Sequence, residues 1–413
     1  AGHTGRLRLA WDDAGFLPGE RRVGYLRVRR TPGDAGGLVP VRIDRVAGEP
    51  AARALVPGRP LELRLGAGQA HERLFIDVPE GAAALAVEVD SEHDIDLYLS
   101  RAPLPAGPGI APAPPRNEAV AVSNAPGGVE QVLVEGEALA PGRWYATPVH
   151  TGGGEARLRV SVQLVAADAA PAIGSYFNPA RAGHGLFLYP AASQWVGLWY
   201  TYFQDGSPTW LYLQGARPEP GRPWRPTIYR AGWNGGTARL VPVGEAVALA
   251  DGAQGMRFTY RVDGETGSEP LSPLGRGCPS LDGQALDAST HWFNPARAGT
   301  GYSVQLFPNY EFHTAFVYDL QGVPRFLVAE GAGFGGAQRI LPLEQLTGFC
   351  PLCERSGNPA RREVGTFLRR YGIGTAPRFE SDAIYLDGVP GFWTGAEDVG
   401  TLGGPGTTQG CEP

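Results

Sequence analysis

The chain has 413 residues, of which 43 % are hydrophobic and 10 % aromatic; this composition supports several ordinary cores and excludes intrinsic disorder. Its 60 glycines and 38 prolines argue against a mainly helical protein, because both residue types weaken or break helix interiors. The formal net charge of −6 gives no reason to expect a nucleic-acid partner.

Residues 1–48 are predicted to form a partial immunoglobulin-like β segment. GRLRLAW at Gly5 and VGYLRVR at Val23 alternate apolar and polar residues, as half-buried strands do, and a Gly-rich turn leads to LVPVRI. This stretch resembles the hairpin of Calx-β and related immunoglobulin-like domains. A partial sandwich exposes strand edges and apolar faces, so we expect either the next domain or another chain to complete the sheet.

Residues 55–165 are predicted to form a β-sandwich, since six alternating segments are separated by Gly/Pro turns. The order HERLFIDVPEGAAALAVEVDSEHDIDLYLS, a proline-rich loop, then GGVEQVLVEGEALAPGRWYATPV resembles the bacterial pre-peptidase C-terminal domain. That resemblance implies a jelly-roll-like sandwich attached to secreted enzymes, proteases above all. The loop APLPAGPGIAPAPPR departs from the family, which has a shorter and more polar connection there.

Carboxylates in this sandwich suggest a cation site. Asp94 and Asp96 share one side of a predicted strand and repel each other unless a cation or an arginine lies nearby. With Glu130 they form the candidate metal ligands, and calcium is the candidate ion, because oxygen-rich clusters bind it. Structural salt bridges or plain solvent exposure is the competing interpretation.

A duplication follows the linker AADAAPAIG. SYFNPARAGHG at Ser175 returns as HWFNPARAGTG at His291, so that Asn294 repeats Asn178 after 116 positions. We therefore predict two β modules, 174–276 and 277–413. The unit resembles a repeat of exported proteobacterial proteins that has no settled function, so the resemblance implies location and not activity.

Each module is predicted to be a β-meander. Asn-Pro followed by Gly-x-Gly is turn chemistry, and Asp205-Gly206 between two apolar runs is a hairpin signal that Gln321-Gly322 repeats. A looser match sets VGEAVAL at Val243 beside VGTFLRR at Val364. Each module either closes its own barrel or pairs with its twin in one larger sheet.

Tryptophans of the first module offer a candidate sugar-binding surface. Trp195, Trp199 and Trp210 lie on predicted strands and would stack on sugar rings if exposed. Rings at 195 and 199 share one face while those at 200 and 202 share the other, so burial of at least one set in a core is the competing interpretation.

Four cysteines lie in the last third of the chain, and an even count in an exported protein indicates two disulfides. The favoured pairing joins Cys350 to Cys353 and Cys278 to Cys411. A four-thiolate zinc site needs a second close pair, which the isolated Cys278 and Cys411 do not supply.

No sequence motif indicates catalysis. The chain has no G-x-S-x-G, no H-E-x-x-H and no phosphate-binding Gly-rich loop. We expect His184 in a surface turn, because its repeat partner Thr300 has no imidazole, and His313 packed or solvated in a strand. No run of about 18 apolar residues predicts a membrane span.

The chain begins at Ala1 rather than Met, and we expect a secreted or cell-surface product from which a signal peptide or larger portion has been removed. The favoured function is a non-catalytic structural or adhesive protein that assembles with itself or with extracellular components by strand addition through its N-terminal segment. The alternatives are the accessory C-terminal region of a secreted hydrolase and, third, a carbohydrate-binding module.

Overall fold

The computed structural model describes residues 21–28, 37–44, 52–71, 73–103, 119–181, 183–252, 255–348, 350 and 360–411. Strands dominate these residues, and their helix is limited to the single turns Gly136–Ala138 and Pro295–Arg297. None of the described helices has the length and apolar character needed to span a membrane. The chain divides into two compact units, Ala1–Leu164 and Val165–Pro413. The all-β prediction is confirmed.

The strands of the first unit are β1 (Arg21–Val28), β2 (Gly37–Asp44), β3 (Arg53–Ala54), β4 (Leu61–Gly66), β5 (Leu74–Val78), β6 (Ala82–Ser91), β7 (Ile95–Ser100), β8 (Ala121–Ser123), β9 (Val129–Glu135), β10 (Gly142–His150) and β11 (Glu155–Ala166). β1 and β2 pair as a two-stranded sheet. The others form a five-stranded sheet of order β3-β5-β10-β7-β8 and a four-stranded sheet of order β4-β11-β6-β9.

The two larger sheets pack as a β-sandwich around one core. Alternate residues point inward, so that Val132 and Val134 of β9 meet Trp144 and Ala146 of β10 in the same cluster. All six predicted strands are present, as β5, β6, β7, β9, β10 and β11. The predicted segment GRLRLAW and all but the first two residues of the proline-rich loop at 102–116 lie outside the described residues.

The strands of the second unit are β12 (Gly174–Phe177), β13 (Gly185–Ala191), β14 (Gln194–Tyr202), β15 (Pro208–Ala216), β16 (Thr227–Trp233), β17 (Ala238–Asp251), β18 (Gly255–Val262), β19 (Glu265–Pro273), β20 (Ser280–Leu281), β21 (Gln284–Ala285), β22 (His291–Phe293), β23 (Gly301–Phe307), β24 (Tyr310–Tyr318), β25 (Pro324–Ala332), β26 (Gln338–Thr347), β27 (Ala360–Gly372), β28 (Thr375–Ile384), β29 (Phe392–Asp398) and β30 (Gly400–Thr401). β20 and β21 pair as a small hairpin.

Both modules are antiparallel meanders that curl into barrels. β12 to β19 form a closed barrel in sequence order, with β12 paired to β19. β22 to β29 repeat that order, and β30, separated from β29 by Val399 alone, pairs with β22 so that the second sheet nearly closes. Of the two predicted arrangements, the described strands therefore show the first: each module curls into its own barrel, closed in the first module and nearly closed in the second.

The repeated FNPARAGxG segments make the same turn. Oδ1 of Asn178 accepts the N–H of Ala180, and Asn294 repeats this bond to Ala296. Gly183 and Gly299, each two positions before the next strand begins at Gly185 or Gly301, have φ of 102° and 104°, the left-handed region that favours glycine.

The looser match at Val243 and Val364 marks a shared β-bulge. The register between β16 and β17 skips Val243, and the register between β26 and β27 skips Val364. A Cβ on Gly244 would lie 1.8 Å from the carbonyl oxygen of Arg261. Gly365 meets a strand carbonyl in the same way, so both positions require glycine.

An aromatic cluster joins the two barrels. Phe187 stacks on Phe312 at 5.5 Å, and the ring of Trp210 lies 5.6 Å from that of Phe316. The indole N–H of Trp210 also donates to the carbonyl oxygen of Val317. These rings are buried, so the outer face of one barrel is covered by its twin.

Candidate functional site

The β1–β2 hairpin is the most exposed apolar element of the described chain. Val23 and Tyr25 are 69 % and 71 % exposed, and they share a face with Leu38. Val28 and Val39 are exposed on the opposite face. Within the described residues neither outer edge of the hairpin pairs with another strand. Its unpaired backbone groups can therefore accept a further strand.

Glu130 is a buried carboxylate at one end of the sandwich. It lies on the inward face of β9, 1 % exposed, and accepts a hydrogen bond from the Ser123 hydroxyl. Its Oε1 has no hydrogen-bond partner among the described residues. Burial raises the pKa of Glu130 to about 7, and the negative charges of Asp96 and Asp94 act in the same direction.

The other two predicted ligands have partners in the polypeptide. Asp94 accepts the N–H of Gly127 at 3.0 Å and the hydroxyl of Thr151 at 2.8 Å. Asp96 accepts the hydroxyl of Tyr98 at 3.1 Å. The two carboxylates and Glu130 thus lie at one end of the sandwich, where the charges of Asp94 and Asp96 act on Glu130. Calcium binding there remains a prediction.

One cluster in the described part of the chain groups three metal-ligand side chains within 4.8 Å, namely Cys278, Asp287 and Cys411. Its two sulfurs form a disulfide, which leaves no thiolate for a metal. This bond confirms the predicted pairing of Cys278 with Cys411. Cys350 is disulfide-bonded as well, and Cys353 lies outside the described residues.

The three tryptophans of the candidate sugar site are buried. Trp195 and Trp199 pack inside the first barrel, and Trp210 packs between the barrels. Their exposures are 6 %, 2 % and 4 %. All three tryptophans therefore belong to buried cores, as the competing interpretation holds, and none of them presents an open ring face to a sugar.

The expectation of a surface turn at His184 is wrong. His184 is 1 % exposed, and its Nε2 lies 3.0 Å from a carboxylate oxygen of Glu269, which is equally buried. Asn178 donates to the same oxygen at 2.9 Å. Burial raises the pKa of Glu269, but the contacts with His184, Asn178 and Arg181 outweigh it and leave that pKa below its usual value.

The second barrel encloses a different ion pair that the sequence did not reveal. Arg369, fully buried, donates to both carboxylate oxygens of Glu311 at 2.8 and 3.0 Å. Arg339 donates to Glu311 from the barrel end at 2.8 Å. His313 is packed, with Nε2 2.9 Å from the hydroxyl of Tyr371. The alternation of apolar and polar residues along these strands did not predict that the charged groups are buried. A polar residue that points into a core can be identified only when its partner is known, and the partners here lie on other strands.

Comparisons with known proteins give no family. No protein-family model matches the chain. No curated protein matches it either.

Proposed function

We propose that this protein is a non-catalytic extracellular structural protein that assembles with copies of itself by strand addition through its N-terminal β segment. The observation that carries the proposal is the β1–β2 hairpin, with large apolar side chains exposed on both faces and unpaired outer edges in the described chain. An isolated two-stranded hairpin is marginally stable in water. A strand from another copy would satisfy its backbone groups and cover its apolar side chains.

The sandwich sheets end in edge strands, β3 and β8 in one sheet and β4 and β9 in the other, whereas the two barrels are closed or nearly closed. The first barrel has no edge strands, and the second is nearly closed by β30. The hairpin combines unpaired outer edges with large apolar side chains exposed on both faces, so in this proposal it is the element that pairs with another copy. In this proposal the sandwich and the barrels are rigid bodies that the hairpins connect.

Sedimentation velocity over a range of concentrations, with electron microscopy of the same samples, tests the proposal. We expect oligomers of the full chain and monomers of a variant that lacks residues 1–44. Val23→Asp and Val39→Asp place a charge on either face of the hairpin and should weaken assembly. Leu320→Asp is the matched control, because Leu320 is 70 % exposed in the second unit.

A full chain that stays monomeric at every concentration would contradict self-assembly. Oligomers that survive removal of residues 1–44 would contradict the role of the hairpin. Loss of assembly in Leu320→Asp but not in Val23→Asp would place the interface on the second unit.

A second candidate function is the accessory region of a secreted hydrolase. It is favoured by the resemblance of residues 55–165 to the pre-peptidase C-terminal domain, together with the sandwich that these residues form. A catalytic domain encoded in frame upstream of Ala1 would support it. The burial of the three tryptophans removes the argument for a carbohydrate-binding module.

A further inference from the structure

His150, the last residue of β10, is a fully buried histidine whose two ring nitrogens lack hydrogen-bond partners in the described part of the chain. Its exposure is 0 %, and neither Nδ1 nor Nε2 has a hydrogen-bond partner among the described residues. A neutral imidazole carries one N–H donor and one acceptor lone pair, and buried groups of this kind are nearly always satisfied. The ring therefore requires a partner, and no group among the described residues supplies one.

A second imidazole lies beside it. The ring of His93, on the connection between β6 and β7, has its centroid 5.3 Å from that of His150, with the ring planes inclined at 53°. Two imidazoles that share one tetrahedral zinc ion have centroids about 5 Å apart, because each Zn–N bond is about 2.0–2.1 Å long. We propose that His93 and His150 bind one divalent transition-metal ion of the zinc class.

The backbone holds the two histidines in this relation. The N–H of Thr151 donates to the carbonyl oxygen of Asp94 at 3.2 Å. The Thr151 hydroxyl donates to the same carbonyl at 3.1 Å and to the Asp94 carboxylate at 2.8 Å. These bonds join the residue after His150 to the residue after His93. The spacing of the two rings is thus set before any ion arrives.

Charge and exposure favour a cation at this position. Asp90, Glu92, Asp94 and Asp96 place four carboxylates within seven residues, and that segment contains no arginine. Their field attracts cations. His93 is half-buried, so this histidine is itself partly accessible to an ion from solvent.

The donor atoms decide which cation binds. Imidazole nitrogen suits Zn²⁺, Cu²⁺ and Ni²⁺, whereas Ca²⁺ takes oxygen ligands. In the described residues no group of three His, Cys, Asp or Glu ligand atoms, all within 4.8 Å of one another, includes His93 or His150. Water therefore completes the coordination, and the site resembles open metal sites rather than closed structural ones.

Isothermal titration calorimetry of the full chain with Zn²⁺, and separately with Ca²⁺, tests the proposal. We expect one Zn²⁺ per chain near neutral pH. His93→Asn should weaken Zn²⁺ binding at least about tenfold. His93 is the decisive variant because it is half-buried, whereas His150→Asn alters the core and needs a circular dichroism control.

His71→Asn is the matched control, since His71 is half-buried in the same unit and its Nδ1 already accepts the N–H of Arg73. It should bind Zn²⁺ as the wild type does. Absence of Zn²⁺ binding, or binding that His93→Asn leaves unchanged, would overturn the proposal. Binding of Ca²⁺ but not Zn²⁺, abolished by Glu130→Gln, would overturn it in favour of a carboxylate site.

Discussion

Arg297 and Glu397, 100 residues apart, form an ion pair of 2.5 Å in the second barrel. Glu397 is 3 % exposed, and the guanidinium also lies 4.5 Å above the ring of Trp393. Arg181, the same residue of the repeated motif, lies 3.8 Å from buried Glu269 in the first barrel. In each module the turn after the first strand thus contacts a buried glutamate near the end of the meander. We infer that the motif holds the barrel closed.

Arg297→Ala should therefore destabilise the protein by about 1–3 kcal/mol, because Glu397 loses its charged donor and Trp393 loses a cation–π contact. Chemical denaturation followed by tryptophan fluorescence measures the change. The control is Arg230→Ala, which breaks the exposed pair with Asp263 and should cost less than about 1 kcal/mol. Equal losses in the two variants would contradict a closing role for Arg297.

The sequence was sufficient where local chemistry dictates the conformation. Asn178 and Gly183 identified the turn of the motif, and alternation located the sandwich strands, because neither depends on distant residues. Alternation could not show what covers the second face of β14, since the rings that cover Tyr200 come from the other barrel.

Long-range polar contacts could not be predicted from the sequence, because the two partners lie far apart along the chain. His184 looked like a turn residue because its partner, Glu269, lies 85 positions later. His93 and His150 are 57 positions apart, and no motif spacing connects them. The carboxylates at 94 and 96 could be recognised from the sequence because they lie two positions apart on one strand, but the hydrogen bonds to Asp94 could not.

The bulge glycines should tolerate no side chain. In Gly365→Ala the new Cβ would lie 1.7 Å from the carbonyl oxygen of Asp382, so a strand must shift, at a cost of at least about 2 kcal/mol. Gly244→Ala should behave alike in the first barrel. Gly236→Ala is the control, because nothing lies within 4 Å of that Cβ position, and its melting temperature should stay within about 2 °C of the wild type. A melting temperature of Gly365→Ala that also stays within about 2 °C of the wild type would contradict the bulge geometry.

The long-range disulfide should contribute more to stability than the bond at Cys350. Cys278 and Cys411 are 133 positions apart, so their bond restricts a long loop of the unfolded chain. Replacing both by serine should lower the free energy of unfolding by about 2–5 kcal/mol. Replacing Cys350 and Cys353 together, which the favoured pairing joins in a short loop, should cost about 1–2 kcal/mol. The reverse order of the two losses would contradict this account.

Two buried histidines should make the protein less stable in mild acid. Burial lowers the pKa of His291 and of His313 to about 4. Since the unfolded value is about 6.5, the folded state binds fewer protons between these limits. The stabilisation is complete above pH 6.5 and is lost as the pH falls toward 4, by about 3 kcal/mol per histidine.

His291→Gln tests this by removing one titrating group while keeping a donor and an acceptor for Val196 and Ser303. Urea unfolding at several pH values between 4.5 and 6.5 should give a shallower pH dependence for the variant. The pKa of Glu269 is lowered, so its titration changes the stability at pH values near and below the usual value of a glutamate, outside this range. Parallel curves for wild type and variant would show that His291 titrates normally.

Glu130 should make the protein less stable as the pH rises, the opposite of the effect of the two histidines. Its pKa is raised to about 7, so its contribution to stability is complete below the unfolded value near 4.5 and is lost as the pH rises through 7. Glu130→Gln keeps an acceptor for Ser123 without the charge. In metal-free solution at pH 8 the variant should be more stable than the wild type by about 2–3 kcal/mol, and at pH 4.5 the two should agree within about 1 kcal/mol.

The exposed Glu62→Gln is the control and should show no such difference between the two pH values. A variant that is less stable at pH 8, with a wild type that Ca²⁺ stabilises, would instead identify Glu130 as a calcium ligand, because only a bound cation makes the buried charge favourable.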